Sequence, residues 1–574
     1  MQKKIWAVQP PNKDSASRLA VSLGVSDILA QVLINRKITD SGTAKSFLEP
    51  KLNDLIAPEQ MPGMAAAVAR IKKAVNANEK ITIYGDYDVD GITSVAICWK
   101  LFSLLGREAE YYVPHRVDEG YGLNDEAIKQ IAANGTNLII TVDCGINAIA
   151  QAQLAASLGV DLIITDHHQA GPILPRACAI VHPQMNNYPN PESAGAMVAF
   201  KLAWAVVNEF KSSERADPPL RRFLLDATTL AALGTIADVV ELQGENRTLA
   251  SFGLKAVAES KLPGIIALIE SASLTGQDID SYHISFRLAP ILNASGRMGH
   301  ARLAVELLTS DAPLRCAKIA EYLAEQNKLR QKCQKNILKQ AREKISAGAL
   351  DHPDRKTIVI ADDNWHTGVI GIVASRIVET YMRPAVLINS SDPLAKGSAR
   401  SVPGFDIYKA FTNCQRHLEG FGGHPMAAGL KLKPENIAAF ANAFEEYAED
   451  NLKDRELLSR LDIDGCFEIR NFNHSLINQL GMLQPFGQAN PQPVFATNGV
   501  RLISPPRRVG TKGDHLQIAV TDNTASVRCI GFGMGPMEKK LLDAEAFNIA
   551  YHPQMNHYNG TSTVQFVLSD IRIE

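Results

Sequence analysis

Apolar positions recur at helical spacing from about Ser15 to Val75, with polar joints between them, and predict an N-terminal helical segment over residues 1–78. From Lys80 the pattern changes. ITIY (Ile81–Tyr84), NLIIT (Asn137–Thr141) and DLIIT (Asp161–Thr165) are short β-branched runs, and helical stretches at Ile92–Leu105 and Ala148–Leu158 follow the first two. Strands alternating with helices predict a doubly wound parallel sheet. Further helical patterns at Ala194–Phe210 and Leu220–Leu233 extend this α/β domain over 79–312.

Pro313 opens a segment without internal Pro or Gly that reaches about Ala347. As a single helix it measures about 50 Å at ~1.5 Å per residue. Its Lys318, Lys328, Arg330, Lys332, Lys335, Lys339, Arg342 and Lys344 read as the solvated face of a spacer over 313–348 rather than as DNA contacts. TIVIADDNWHTGVIGIVASRIV and RPAVLIN then restart the strand–helix–strand pattern, giving a second α/β domain over 349–450. In 451–574, runs such as VRLISPP, HLQIAV, SVRCIGFG and VQFVLSDIRI alternate between turn signals. They predict a small β-barrel of the oligonucleotide-binding (OB) type.

Composition narrows the class. The chain has 574 residues, 46% hydrophobic and 21% charged, which suits several packed domains and argues against disorder. A net charge of -2 excludes a protein that is basic throughout but leaves room for basic grooves. MQKKIWAVQPPNKD has no apolar core, so no secretory signal is expected there. No stretch approaches the ~20 apolar residues of a membrane span, so no membrane association is expected. Eight Cys occur singly, without a C-x-x-C pair, as suits reduced thiols in a cytoplasmic protein; a monomer is expected. No G-x-x-x-x-G-K-[ST] is present, which excludes a motor of that kind.

The chemistry gathers at strand ends. YGDYDVDG follows the first strand and carries Asp86, Asp88 and Asp90; VDCG ends the second with Asp143. The third ends in Asp166, His167 and His168, and GTIADVVEL supplies Asp238 after a helical run. D-x-D-x-D-G also begins an EF-hand loop, but that loop needs Glu where this chain has Ile97. Singly, each motif reads as a helix cap or a plain strand end. Together they crowd carboxylates at one sheet edge, where ligands bind in open α/β sheets and divalent cations would remove the repulsion. Asp and His without Cys point to Mn²⁺ or Mg²⁺, with His favouring manganese. Two such ions about 3.5–4 Å apart suit hydrolysis of a phosphate ester or anhydride.

These four motifs resemble those of the DHH phosphoesterase family, which includes exonucleases, pyrophosphatases and small-molecule phosphodiesterases. LAPILNASGRMGHA (Leu288–Ala301), WHTGVIGIVASRI (Trp365–Ile377), GSARS (Gly397–Ser401), GFGGHPMAAG (Gly420–Gly429) and PFGQANPQPVF (Pro485–Phe495) extend the likeness to nearly the whole chain. They resemble the family's exonucleases for single-stranded DNA. The resemblance implies a DHH catalytic domain, a DHHA1-type substrate-binding domain and an OB-type domain. It implies that Asp90, Asp143, His167 and Asp238 hold one metal and that Asp88 and Asp143 hold a second. It implies too that Asp86 is a ligand or a neighbour of ligands, and that His168 positions the substrate phosphate or stabilises its developing charge. Many members carry His where this chain has Tyr84, which implies a weaker or water-mediated hold on the second ion.

The resemblance further implies digestion from the 5′ end to mononucleotides, in DNA repair, recombination and mismatch repair. A helicase and a single-strand-binding protein are expected partners on the same grounds. The small residues of GGHPMAAG, Gly422 and Gly423 among them, allow close approach of a phosphate to which His424 can donate. Ser398 with the fork of Arg400, and Arg297, suit terminal phosphate oxygens. Trp365 and Arg376 are further substrate-binding candidates, and Arg507 and Arg508, with Lys512, would track single-strand backbone on the terminal domain. The competing readings are a small-molecule phosphodiesterase or pyrophosphatase and a non-catalytic nucleic-acid-binding protein.

Overall fold

A computed structural model describes residues 4–115, 119–212, 217–297, 300–452, 459–558 and 561–573; Met298 and Gly299 of the ASGRMG motif lie outside them. The chain forms two compact units. The larger one comprises residues 56–240 and 252–458. Its first sheet contains β1 (Ile81–Gly85), β2 (Ala109–Tyr112), β3 (Leu138–Val142), β4 (Asp161–Thr165) and β5 (Ala179–Val181) in the order 2-1-3-4-5. Every pairing is parallel. All five residues of β1 and of β3 are buried, so these strands read as unbroken apolar runs. In this order the winding reverses between β1 and β3, and a crevice opens there beyond their carboxyl ends. The helices α1 (Val89–Leu104), α2 (Asp125–Ala133), α3 (Ile149–Ser157), α4 (Gly195–Phe210) and α5 (Pro218–Ala237) accompany the sheet.

After α6 (Ala289–Arg297) the spacer is α7, a single helix over Pro313–Ala347. It buries Cys316, Ile319, Ala320 and Leu323 near one end and Ile337, Ala341 and Ile345 near the other. Helical spacing at both ends anchors the rod; between them Lys328, Leu329, Gln331, Lys332, Lys335 and Asn336 are exposed, while Asn327 is buried and Arg330, Cys333 and Gln334 are half-buried. The second sheet is mixed: β6 (Ile358–Asp362), β7 (Ala385–Asn389), β8 (Ala395–Arg400), β9 (Gly420–His424) and β10 (Ala427–Leu432) lie in the order 9-10-8-7-6. Only β6 and β7 run parallel, with α8 (Thr367–Tyr381) between them in sequence.

The smaller unit combines residues 1–55, 241–251 and 459–574. Its seven-stranded sheet includes a ring of five: Phe495–Leu502, Phe547–Tyr558, Thr561–Ile573, Ser526–Gly531 and His515–Thr521, closed by pairing of the first and last. That closure is OB-like. The N-terminal helices Lys13–Leu23, Asp27–Asn35 and Ser41–Leu48 share its core, contributing Leu19, Leu29 and Leu33 beside Phe495, Phe547 and Phe566. The N-terminal segment therefore differs from the separate domain expected over 1–78. Residues 1–55 belong with the terminal barrel, where strand Ile5–Val8 pairs in parallel with Arg460–Ile463. Arg247 ties the third segment in. Its buried guanidinium donates to the carbonyls of Phe47, Met482, Leu483 and Gln484 at 2.7–3.1 Å, so a charge without a carboxylate partner is fully hydrogen-bonded.

Candidate metal centre and substrate face

Asp86, Asp88 and Asp90 sit on the turn from β1 into α1. Asp88 caps α1, accepting from Gly91 N–H at 3.1 Å. A Cβ on Gly91 would stand 2.6–2.7 Å from the Asp86 backbone, so only glycine allows so tight a turn. Asp90 faces the start of α4, with Gly195 N–H donating to Oδ2 at 2.6 Å and Ala196 N–H to Oδ1 at 2.9 Å. Two donors at a helix N-terminus fix this carboxylate while its outer lone pairs stay available.

Asp143 follows β3 with φ 62, a left-handed conformation that is costly for a residue with a side chain. Its carboxylate lies 3.1 Å from His167 Nε2, which is also 3.8 Å from Asp90 Oδ2 and 3.7 Å from Asp238 Oδ2. Asp238 is brought there by the C-terminus of α5, where the helix dipole disfavours an anion and favours a neighbouring cation.

Donor atoms of Asp90, His167 and Asp238 lie within 4.8 Å of one another, and so do those of Asp86, Asp88 and Asp143; Asp143 also groups with His167 and His168. Asp143 Oδ1 and His167 Nε2 are buried without a hydrogen-bond partner. Orphaned acceptors amid five carboxylates fit divalent cations well. Burial, then the neighbouring carboxylates, hold the Asp143 carboxyl well above the usual range. The same causes raise Asp90 and Asp238. Burial lowers His167 to about 4, which leaves a neutral imidazole able to ligate.

Asp86, expected as a ligand or a neighbour of ligands, stands with Asp88 and Asp143. Tyr84 is no ligand: it is buried in β1 and its hydroxyl donates to Gly122 O at 3.1 Å.

Three residues take supporting roles that the sequence pattern does not assign them. Asp166, the first letter of DHH, is buried and takes N–H groups from Ile146, His167 and His168 as well as the His168 ring, Nδ1 to Oδ1 at 2.8 Å. Those bonds, the His168 ring first, outweigh burial and lower its pKa, while Asp166 in turn raises that of His168. Asn293, inside NASGR, accepts from Val89 N–H at 3.1 Å and holds the first motif in place. Gly195 lies against the carboxylate of Asp143. An added Cβ there would stand 2.7 Å from Asp143 Cβ and Oδ1. Gly195→Ala is therefore expected to cut turnover about a hundredfold, since ångström-scale misplacement costs that much. Steady-state kinetics alongside manganese titration check this; unchanged values would contradict it.

In the second sheet, the register lines Arg400 up with Ala427 and His424, and Ser398 with Gly429 and Gly422. Cross-strand partners share a face. Arg400, Ser398 and His424 thus border a trough whose middle strand offers only Ala427 and Gly429. Lys396 and Lys431 continue the same face, a period-2 signal missed in the sequence. The N-terminal part of α8 lies against this trough at Gly371, whose Cβ would meet Ser398 Oγ at 2.8 Å. Gly423, at φ 139, and His424 also line a cleft of about 830 Å³ together with Gln169, next after His168. Arg297 reaches across, donating from Nη1 to Gly368 O at 2.9 Å at the start of α8.

Two of the substrate-binding candidates have other partners. Trp365 is buried, with its indole N–H on Gln340, and packs in the core beside Ile337, Ala341 and Val369. Arg376 pairs with Glu379 at 2.7 Å on the surface of α8. In the other unit Arg508 pairs with Glu538 at 2.8 Å, whereas Arg507 is exposed opposite Gln517.

Comparison with known proteins shows the family. Residues 80–235 match the DHH family N-terminal domain, residues 354–450 the DHHA1 domain and residues 463–570 the RecJ OB domain. The single-stranded-DNA-specific exonuclease RecJ of Bacillus subtilis is 36% identical over all of this chain and 71% of its own length. The Escherichia coli exonuclease of the same name is 32% identical, with coverage of 91% and 92%. The chain belongs to the RecJ family. Thermus thermophilus RecJ in complex with Mn²⁺ superimposes with a TM-score of 0.85 at 28% identity, covering 99% of this chain and 80% of that one. RecJ from the same source has also been solved with Mg²⁺.

Proposed function

We propose that this chain is a metal-dependent exonuclease that digests single-stranded DNA from the 5′ end to mononucleotides. The observation that carries this reading is the convergence of two ligand sets at the switch point of the first sheet, in a chain related to RecJ from end to end. Asp90, Asp143, His167 and Asp238 would hold one ion, and Asp86, Asp88 and Asp143 the other. When bound, Mn²⁺ or Mg²⁺ supplies an activated water and neutralises charge on the phosphate.

The protein's own groups do the rest. Asp166 holds His168 Nδ1 and fixes the ring, which would position a substrate phosphate. Arg400, Ser398 and His424 grip the terminal phosphate, with Gly422 and Gly423 allowing close approach and Arg297 joining the two sheets. A trough built for one terminal phosphate sets the end from which digestion starts. The barrel, with Arg507 on its surface, tracks the single strand by charge. Action in repair and recombination, as a cytoplasmic monomer beside a helicase and a single-strand-binding protein, completes the proposal. A small-molecule phosphodiesterase would need neither the rod nor the barrel.

End-labelled oligonucleotides with Mn²⁺ test this. A 5′ label on a single strand should appear at once as mononucleotide, with blunt duplex untouched. Progressive shortening of 5′-labelled strands from the other end, or attack on duplex, would contradict it. Arg400→Ala should slow digestion of 5′-phosphorylated strands by tenfold or more, about the worth of a charged hydrogen bond, and spare 5′-hydroxyl strands. Equal loss on both would remove Arg400 from end recognition.

A further inference from the structure

Tyr121 lies between Gly120 at φ 87 and Gly122 at φ 84, two left-handed positions that turn the chain toward the catalytic crevice. The turn is anchored. Tyr84 donates its hydroxyl to Gly122 O at 3.1 Å, and Asn124 Nδ2 donates to the Tyr84 hydroxyl at 3.3 Å and to Glu119 at 2.7 Å. Half of Tyr121 is exposed, at 51%, yet its polar end is turned inward. The phenol donates to the Asp143 carbonyl at 3.2 Å, and its oxygen stands 3.0 and 3.3 Å from the two ring nitrogens of His168. The two rings meet edge to face, centroids 5.3 Å apart.

Asp143 holds a strained left-handed backbone, which survives only where its surroundings fix it. Its N–H is held on Thr165 O at 3.0 Å. Tyr121 holds the other side. The two bonds together hold the left-handed turn from which the Asp143 carboxylate projects. The ring of His168, pinned at Nδ1 by Asp166, is closed off along its edge by the same phenol oxygen.

We infer that Tyr121 is a positioning residue. Its hydroxyl sets the carboxylate of Asp143 and the imidazole of His168 in one orientation for metal and substrate. This deepens the reading above and rests on it. The exposed ring face offers a competing role, stacking on a nucleobase, and the two roles part in their variants.

The test compares Tyr121→Phe and Tyr121→Ala on a 5′-phosphorylated oligonucleotide, with Mn²⁺ binding to the full chain measured by calorimetry. Loss of the hydroxyl should lower kcat about tenfold, the upper end for one hydrogen bond. It should leave KM within about twofold and weaken Mn²⁺ binding severalfold, with alanine little worse than phenylalanine. Wild-type kcat and Mn²⁺ affinity in Tyr121→Phe would overturn the inference; if Tyr121→Ala then raised KM alone, the ring would be a stacking contact instead. Asp143→Ala serves as the control. If it keeps full Mn²⁺ binding, the metal site itself is misread; if it loses binding while Tyr121→Phe does not, only the role of Tyr121 fails.

Discussion

Asp143→Ala is expected to lower turnover on single-stranded DNA by more than about a hundredfold, beyond the 10–100-fold that losing a ligand's outer partner costs. Asp143 completes the donor set of Asp86 and Asp88 and also stands 3.1 Å from His167 in the other. No neighbour can take its place, because its left-handed backbone and the close pass of Gly195 are built around this one carboxylate. Stability should move the other way. In the metal-free protein this carboxyl is buried against Asp90, Asp88, Asp86 and Asp238, and its removal lifts that repulsion. The variant should melt at or above the wild-type temperature in chelator and gain less from Mn²⁺. Thermal melts with and without the ion, beside a nuclease assay, check both halves. Wild-type turnover would refute the assignment.

The second large effect is a fall in metal-free stability as pH rises above neutrality. Asp90, Asp143 and Asp238 are raised by burial and mutual repulsion, and His168 is raised chiefly by Asp166 against its own burial. A group whose folded pKa is raised contributes stability below its unfolded value and loses it as pH climbs through the folded value. His167, lowered to about 4, and Asp166 act in the opposite sense, but only below the ordinary histidine value of 6.5. Above 6.5 only the destabilising trend remains, up to about 1.4 kcal/mol per pH unit for each titrating proton. Mn²⁺ at about a hundred times its Kd should restore about 2.7 kcal/mol and flatten the slope. Urea unfolding at pH 6.5 and 8, in chelator and in Mn²⁺, measures this; a rise in metal-free stability over that interval would contradict the crowded-carboxylate picture.

Much of this was legible in the sequence because local pattern and tertiary placement agree. Ile81–Gly85 and Leu138–Val142 are buried on both faces and so read as plain apolar runs, and their carboxyl ends carry the ligands directly. The spacer was legible from the absence of Pro and Gly between Leu314 and Ala347. Illegible features rest on distant partners. The pairing of Ile5–Val8 with Arg460–Ile463, and the cage of carbonyls around Arg247, join segments hundreds of residues apart, so the first helices were assigned a domain of their own. Trp365 sits in WHTGVIGIVASRI, one of the runs that carry the resemblance, and sequence alone cannot separate a packed indole from one that meets substrate. The role of Asp166 was illegible for the opposite reason: beside two histidines it reads singly as a helix cap, and its four hydrogen bonds appear only once the turn is folded.

The proposed activity depends on divalent ions settling around Asp143. Anomalous diffraction at the manganese edge, from crystals soaked in MnCl₂, measures that directly. Two peaks should appear on either side of the Asp143 carboxylate, one against Asp90, His167 and Asp238 and the other against Asp86 and Asp88. A strong signal elsewhere in the molecule, with none at this crevice, would contradict the account.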